Sequence, residues 1–80
     1  MHWGELMLYM VQIDSEDPET FTANLISEVL DHFEPKHTRS VLKVWRVLRF
    51  DRGRNPELGQ KRAFFWDEFE SEWQSYSEGD

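Results

Sequence analysis

Side chains that catalyse reactions or hold metal ions are few and scattered in this 80-residue sequence. Cysteine is absent, and the imidazoles are those of His2, His32 and His37. The nearest approach to a metal site groups the last two histidines with Asp31 and Glu34, but its spacing is not typical of a known site. A surface histidine near the end of a helix is the simpler interpretation. The sequence therefore predicts neither a bound metal nor a cofactor.

The remaining candidates for catalysis are equally weak. Hydrolysis by carboxylates needs two acids that face each other across a cleft and differ in pKa. Pairs one turn apart, such as Glu68 with Glu72, indicate the solvated face of a helix instead. Ser40 lacks the turn that exposes a nucleophile, and the four glycines are too dispersed to form a phosphate-binding loop. We therefore expect a protein without catalytic residues, which is not an enzyme and acts by binding.

The distribution of charge is the most informative feature of the sequence. Residues 1–35 contain eight carboxylates and no Lys or Arg, residues 36–62 contain all nine basic residues and two carboxylates, and residues 67–80 contain six carboxylates. The net charge is −7. One interpretation is that the basic segment pairs internally with the acidic segments on either side. An acidic excess remains in any case, and it favours basic protein surfaces over nucleic acid or lipid headgroups.

The acidic C-terminal segment is the first candidate for a contact surface. Its carboxylates are closely spaced beside aromatic side chains, and negative charge of this density can stand in for a phosphate backbone. The predicted partner-binding residues are Trp66, Asp67, Glu68, Glu70, Glu72 and Tyr76. The alternative is an ordinary solvated helix face.

The basic segment is the second candidate surface. Its cationic residues are interleaved with Trp45 and Phe50, a combination found in nucleic-acid contacts. The cationic residues concerned are Arg39, Lys43, Arg46, Arg49, Arg52 and Arg54. In so acidic a chain this run would lie in the field of neighbouring carboxylates, which disfavours direct binding of nucleic acid. The sequence leaves open which charged face forms the interface.

Regular elements in the first half of the chain follow from its apolar periodicity. The segment from Glu5 to Ile13 predicts a strand with large apolar residues on both faces. Asp17 and Pro18 then supply a cap and a first helical position, and apolar residues recur at four-residue intervals up to residue 33. Pro35 ends the helix that this pattern predicts.

The second half of the chain predicts a strand and another helix. The segment from Ser40 to Phe50 fits a helical face as well as a strand, and its branched and aromatic residues favour the strand. Asn55 and Pro56 repeat the signature of a helix start, and aromatic residues follow at helical spacing. A third strand at residues 61–66 is the alternative for part of this segment.

The predicted fold class is α+β, with a single domain over residues 1–80. Two helices pack on a small sheet of two or three strands, in the order strand, helix, strand, helix. The core is expected to contain Phe21, Leu25, Val29, Phe33, Phe65, Phe69 and Trp73. A sheet of so few strands leaves exposed edges. We therefore expect a homodimer in which a second copy of the chain covers the sheet.

Two resemblances accompany these residues. Short, acidic, free of cysteine and rich in aromatic residues, the chain resembles the small phage-encoded inhibitors of bacterial defence, anti-CRISPR proteins among them, many of which occlude DNA-binding sites on effector complexes. The segment from Asp67 to Tyr76 is similar to the acid-rich, tryptophan-bearing helix that ends the DinI-like modulators of the RecA recombinase. Both resemblances imply inhibition by contact.

The expected function is that of a phage or mobile-element inhibitor that docks an acidic face on the nucleic-acid-binding surface of a host protein complex. A regulatory domain of the cell itself, DinI-like or antitoxin-like, is the alternative. The longest apolar run, Leu6 to Val11, is far shorter than the roughly 20 residues of a membrane helix. With no signal peptide recognised and no cysteine, we expect the protein in the cytoplasm of a bacterial host cell, away from the membrane.

Overall fold

The computed structural model describes residues 6–76, with side chains up to Ser75. Its elements in chain order are β1 (Met7–Ile13), β2 (Glu19–Ala23), α1 (Ile26–His32), β3 (Val41–Phe50), β4 (Pro56–Asp67) and β5 (Glu72–Tyr76). The five strands form one sheet in the order β2-β1-β3-β4-β5, and every neighbouring pair is antiparallel. The central strand β3 is therefore flanked by β1 and β4, and α1 connects the edge strand β2 to it.

The predicted fold class is wrong. Within the described residues the chain forms five strands and a single seven-residue helix, where the sequence predicted two helices on a sheet of two or three strands. The strand predicted between Ser40 and Phe50 is confirmed as β3, and the strand predicted up to Ile13 as β1.

The predicted first helix begins later than its apolar spacing indicates, because its first residues form β2. Asp14 adopts a left-handed conformation at φ 52°, and the N–H of Glu16 donates to the carbonyl of Ile13 at 3.0 Å, so the chain reverses directly after β1. Phe21 then pairs with Tyr9 across the β1–β2 ladder. The threonines on either side of Phe21 are β-branched residues that favour such a pleated surface.

Helix α1 is held by its ends and by its packing. One carboxylate oxygen of Glu28 accepts the N–H groups of Asn24 at 2.9 Å and Leu25 at 2.8 Å, which satisfies donors at the helix start. A helix of seven residues is marginal alone, so burial of Val29 against the sheet supplies stability that the helix lacks. Phe33 is already extended, and Pro35 follows.

The predicted second helix is absent from the described residues. Its segment forms the end of β4, a turn and β5, and Trp66 pairs with Trp73 across the ladder. The alternative strand at residues 61–66 is therefore confirmed. Consecutive aromatic residues suit a strand because successive side chains point to opposite faces: Phe64 is buried, whereas its neighbour Phe65 is exposed.

Strands β3 and β4 extend beyond the rest of the sheet. The pairing of β1 with β3 reaches only to Arg46, and the pairing of β5 with β4 begins only at Ala63. Beyond these points the two strands continue as a two-stranded ribbon, with an irregular register between Trp45 and Arg49. Its turn is closed by the N–H of Asp51, which donates to the carbonyl of Asn55 at 2.9 Å. We call residues 46–62 the basic ribbon.

The core lies between α1 and the face of the sheet that it covers. Its buried residues are Tyr9, Val11, Ile13, Ala23, Val29, Leu42, Val44, Phe64 and Trp73. Of the predicted core residues, Val29 and Trp73 are confirmed, and Phe21 and Phe33 pack against the core as partly buried side chains. The prediction is wrong for Leu25, Phe65 and Phe69, whose exposed fractions are 63%, 41% and 91%.

Candidate functional site

The acidic residues predicted to bind a partner lie at a hairpin turn. Asp67 ends β4, Glu68 and Glu70 lie in the turn, and Glu72 begins β5. The carboxylate of Asp67 accepts the N–H groups of Phe69 at 3.0 Å and Glu70 at 3.2 Å, and thereby folds the turn on itself. The carboxylates of the turn therefore project from a short, internally bonded loop, whereas the sequence placed them on a helix face.

Phe69 occupies the tip of this turn and is the most exposed large apolar residue described, at 91%. The sequence placed it in the core because its spacing from Phe65 and Trp73 matches a helix. In the hairpin it stands between Glu68 and Glu70, with no packing that would explain an aromatic residue there. Exposed aromatic side chains at loop tips are typical anchors of protein interfaces.

A groove of about 390 Å³ lies beside the turn, between the end of α1 and β5. Its apolar walls include Phe33, Trp66 and Trp73, and the two indole rings meet edge to face with centroids 5.3 Å apart. The indole N–H of Trp73 donates to the carbonyl of Phe33 at 2.9 Å, which fixes the helix end to β5. The groove therefore has rigid aromatic walls.

Three carboxylates also line this groove, those of Asp31, Glu34 and Glu72. The sequence did not single out the first two as binding residues, because they are remote from the C-terminal segment along the chain. We use the name acidic end for the six carboxylates of the turn and the groove: Asp31, Glu34, Asp67, Glu68, Glu70 and Glu72. Trp66 lies in the same groove, as a predicted member of the site. The side chain of Tyr76 lies outside the described residues.

The basic candidates do not form one surface. Arg39 precedes β3 and lines a depression beside Asp67, and Lys43 lies in the middle of β3 opposite Ala63. Arg46, Arg49, Arg52 and Arg54 all belong to the basic ribbon. Lys61 and Arg62, which were not among the candidates, join them from β4, since Lys61 pairs with Trp45 and Arg62 with Val44.

Internal neutralisation of the basic segment is limited. Among the described residues three ion pairs form: Lys36 with Glu16 at 3.8 Å, His37 with Asp14 at 3.5 Å, and Arg49 with Glu57. Only the last involves the basic ribbon, and both of its partners belong to the ribbon. The described carboxylates of the acidic segments on either side therefore form no ion pair with the ribbon.

A carboxylate, an imidazole and a hydroxyl lie close together at the loop before β3, on Asp14, His37 and Ser40. Their hydrogen bonds do not have the arrangement of a catalytic triad. The Ser40 hydroxyl is fully buried and donates to the Asp14 carboxylate at 3.1 Å, while it accepts the N–H groups of Lys36 and His37. The ring Nδ1 of His37 accepts the N–H of Arg39 at 3.1 Å, so its Nε2 faces Asp14. Neither ring nitrogen of His37 is placed to take the serine proton, and the cluster fixes the loop before β3.

The residues considered for a metal site point in different directions. The His32 ring stacks on Phe21 with centroids 4.4 Å apart, whereas His37 contacts Asp14. Asp31 and Glu34 line the groove of the acidic end. Within residues 6–76, no group of three or more His, Asp or Glu side chains is close enough to hold a metal ion.

No protein-family model, curated protein or solved structure matches this chain. The function must therefore be inferred from the geometry and electrostatics of its own residues. In the described part of the chain, no helix has the length and apolar character needed to cross a membrane.

Proposed function

We propose that the chain is a non-catalytic binding domain whose acidic end docks on the basic, nucleic-acid-binding surface of another protein. The observation that carries this function is the exposed Phe69 at the tip of a turn ringed by carboxylates. An aromatic anchor flanked by several carboxylates suits a partner with an apolar depression inside a field of the opposite sign. Surfaces that hold nucleic acid supply that field.

Rigidity of the acidic end supports this role. The Asp67 carboxylate closes the turn with two hydrogen bonds, and Trp73 fixes the neighbouring helix end. A preorganised surface loses less conformational entropy on binding than a flexible loop of the same charge. The backbone that carries Glu68 and Glu70 is therefore preorganised.

The groove beside the turn supports the same function. Lys and Arg side chains bind favourably against aromatic faces, and their charge is balanced by nearby carboxylates. The partly buried Trp66 provides an aromatic face, backed by the buried Trp73, while Asp31, Glu34 and Glu72 provide the charge. A basic residue of the partner that enters the groove would fix the orientation in which Phe69 docks.

Binding of this kind blocks access of nucleic acid to the partner without chemistry, which is how an inhibitor of the anti-CRISPR type would act inside a bacterial host cell. A DinI-like or antitoxin-like regulatory domain would use the same acidic end on a repair protein or a toxin. The identity of the captured partner separates these two cases.

The test is affinity capture from a bacterial lysate at low salt, with the immobilised chain compared with its E68K/E70K/E72K variant. The wild type is expected to retain basic nucleic-acid-binding proteins, and added DNA is expected to displace them. The variant is expected to lose them, because each reversal turns attraction into repulsion. Exposed substitutions of this kind typically change stability by about 0.5 kcal/mol or less, so the variant remains folded.

The charge-matched comparison is E16K/D17K/E19K, which makes the same change in net charge at the exposed β1–β2 turn and the first residue of β2. Because Glu16 and Glu19 line a depression with Glu34 of the acidic end, its capture is expected to fall, but by less than that of E68K/E70K/E72K. If the E68K/E70K/E72K variant is folded and retains the same proteins at the same level in low salt, the acidic end is not the contact surface.

A further inference from the structure

Arg46 and Arg62 share a groove at the base of the basic ribbon, and this pair points to an anionic ligand. They lie on neighbouring strands and line an open groove of about 330 Å³ together with Tyr9 and Gln60. Like charges close together on adjacent strands repel each other. No described carboxylate lies within ion-pair distance of either arginine, although the Arg62 guanidinium lies over the Phe64 ring at 5.7 Å.

Positive charge continues from this groove to the tip of the ribbon. Over residues 46–62 there are six basic residues against two carboxylates. One of those carboxylates, Glu57, pairs with Arg49, and the other, Asp51, accepts the N–H of Asn55 at 2.9 Å within the turn. Arg52 and Arg54 stand exposed in the turn itself. The basic residues thus form a line of positive charge. Among them only Arg49 forms an ion pair with a described carboxylate.

The acidic end lies at the opposite end of β4 from this turn. A strand of twelve residues spans roughly 40 Å, whereas the field of surface charges is screened beyond about 8 Å at physiological ionic strength. The sequence disfavoured nucleic-acid binding because it placed the basic run within the field of the carboxylates. The fold weakens that objection for the ribbon, since it places the six carboxylates of the acidic end at the other end of β4 from the tip.

The shape of the ribbon favours duplex DNA among polyanions. A two-stranded antiparallel ribbon fits the major groove of B-DNA, which is about 12 Å wide. From Arg46 to Arg52 the ribbon covers about 20 Å, comparable to six successive phosphates of one DNA strand. Leu48 and Phe50 are exposed between these arginines, where apolar side chains meet thymine methyl groups.

We propose that the basic ribbon binds duplex DNA, with phosphates held by Arg46 and Arg62 at its base and by Arg52 and Arg54 at its tip. This surface is separate from the acidic end and independent of the function proposed for it. A molecule with both surfaces contacts a nucleic-acid-binding protein at one end and DNA at the other.

The test is fluorescence anisotropy of a labelled duplex of about 20 base pairs, measured with the full chain over a series of KCl concentrations. The comparison variant is R52Q/R54N, in which Asn suits the left-handed conformation of Arg54 at φ 63°. Loss of two phosphate contacts is expected to weaken binding at least tenfold at low salt and to reduce the salt slope of log K by about 1.8. R46Q/R62Q is expected to weaken binding in the same way.

The matched control is K36Q/R39Q, which removes the same charge from the loop before β3 and is expected to bind DNA as the wild type does. Thermal melts establish that each variant is folded. Absence of duplex binding by the wild type at about 100 μM in 50 mM KCl overturns the proposal, since non-specific binding falls within that range even at higher salt. Equal losses in the control also overturn it.

Two further results would assign the ribbon to another ligand. Tighter binding of a single-stranded oligonucleotide of the same length would contradict docking in a major groove. Binding of poly-glutamate with no binding of DNA would indicate an acidic protein as the partner. The E68K/E70K/E72K variant, by contrast, is expected to retain DNA binding, so failure of the acidic end and failure of the ribbon are distinguishable.

Discussion

At the level of single residues, Asp14 links the turn after β1 to the loop before β3. Its carboxylate accepts the buried hydroxyl of Ser40 and the backbone N–H of Val41, and it also faces His37. Its own backbone is left-handed, a conformation that Asp and Asn tolerate better than other residues with a Cβ. One side chain thus satisfies donors on two segments that are distant in the sequence.

Replacement of Asp14 by Ala is expected to lower the free energy of unfolding by at least about 1–3 kcal/mol, because the fully buried Ser40 hydroxyl loses its acceptor. Asp14→Asn keeps a carbonyl acceptor and the tolerance of a left-handed backbone, so its loss should be smaller. Urea denaturation of both variants measures the difference. No loss for Asp14→Ala would show that the hydrogen bonds of Asp14 contribute nothing to stability.

Phe69 and Phe64 provide a second comparison of single residues. Phe69→Ala should change the free energy of unfolding by less than about 0.5 kcal/mol, because the side chain is exposed. Phe64→Ala should cost about 3–5 kcal/mol, because it leaves a cavity in the core. Chemical denaturation of the two variants checks both values, and a large loss for Phe69→Ala would contradict the hairpin.

Sequence alone proposed the four carboxylates of the turn as binding candidates, but it showed neither their arrangement nor their proximity to Asp31 and Glu34. Helical spacing of Phe65, Phe69 and Trp73 arises by coincidence from two strands and a turn, and the turn has no glycine or proline to reveal it. Its determinants are the Asp67 carboxylate and the left-handed Ser71 at φ 55°, neither of which is distinctive in a sequence. Asp31 and Glu34 reach the groove only through tertiary packing.

At the level of elements, β1 and β3 could be predicted because branched and aromatic residues dominate both segments. The strand β2 could not, since Asp17 and Pro18 suit a helix start as well as a turn that enters a strand. Its pairing with β1 decides between these possibilities, and such a long-range contact is invisible to local periodicity.

The part of the ribbon beyond Val47 should be dispensable for folding, because β1 pairs with β3 only as far as Arg46 and β5 pairs with β4 only from Ala63. Val47 pairs with Leu58, so replacement of residues 48–57 by Asn-Gly leaves two facing residues that a tight turn can join. The melting temperature should fall by no more than about 8 °C, the shift that 1 kcal/mol produces in a domain of this size. Amide resonances of β1 and β5 should be preserved, and their loss would make the ribbon part of the folding unit.

At the level of the whole molecule, part of the segregation of charge along the sequence becomes a segregation in space. The acidic end and the tip of the basic ribbon lie at opposite ends of β4 because the chain reverses at both ends of that strand. The homodimer expected from the sequence rested on a sheet of two or three strands, whereas β1 lies between β2 and β3 in a sheet of five. The charge distribution favours a different contact, head to tail.

Self-association should therefore depend on salt. At about 20 mM NaCl the acidic end of one copy attracts the basic ribbon of the next, whereas at about 500 mM NaCl screening removes the attraction. Light scattering at several protein concentrations should show a mass that rises with concentration only at low salt. The E68K/E70K/E72K variant should stay monomeric, and association that persists in high salt would point to an apolar interface.

Titration with a lysine decapeptide tests most directly whether the acidic end is the contact surface. The titration is followed through the backbone amide resonances of the chain. Shift changes are predicted at residues 31–34 and 67–72, including Phe69 and the indole N–H of Trp73, and they should disappear as salt is added. Equal or larger changes at the exposed carboxylates of the β1–β2 turn, with none at residues 67–72, would contradict the assignment.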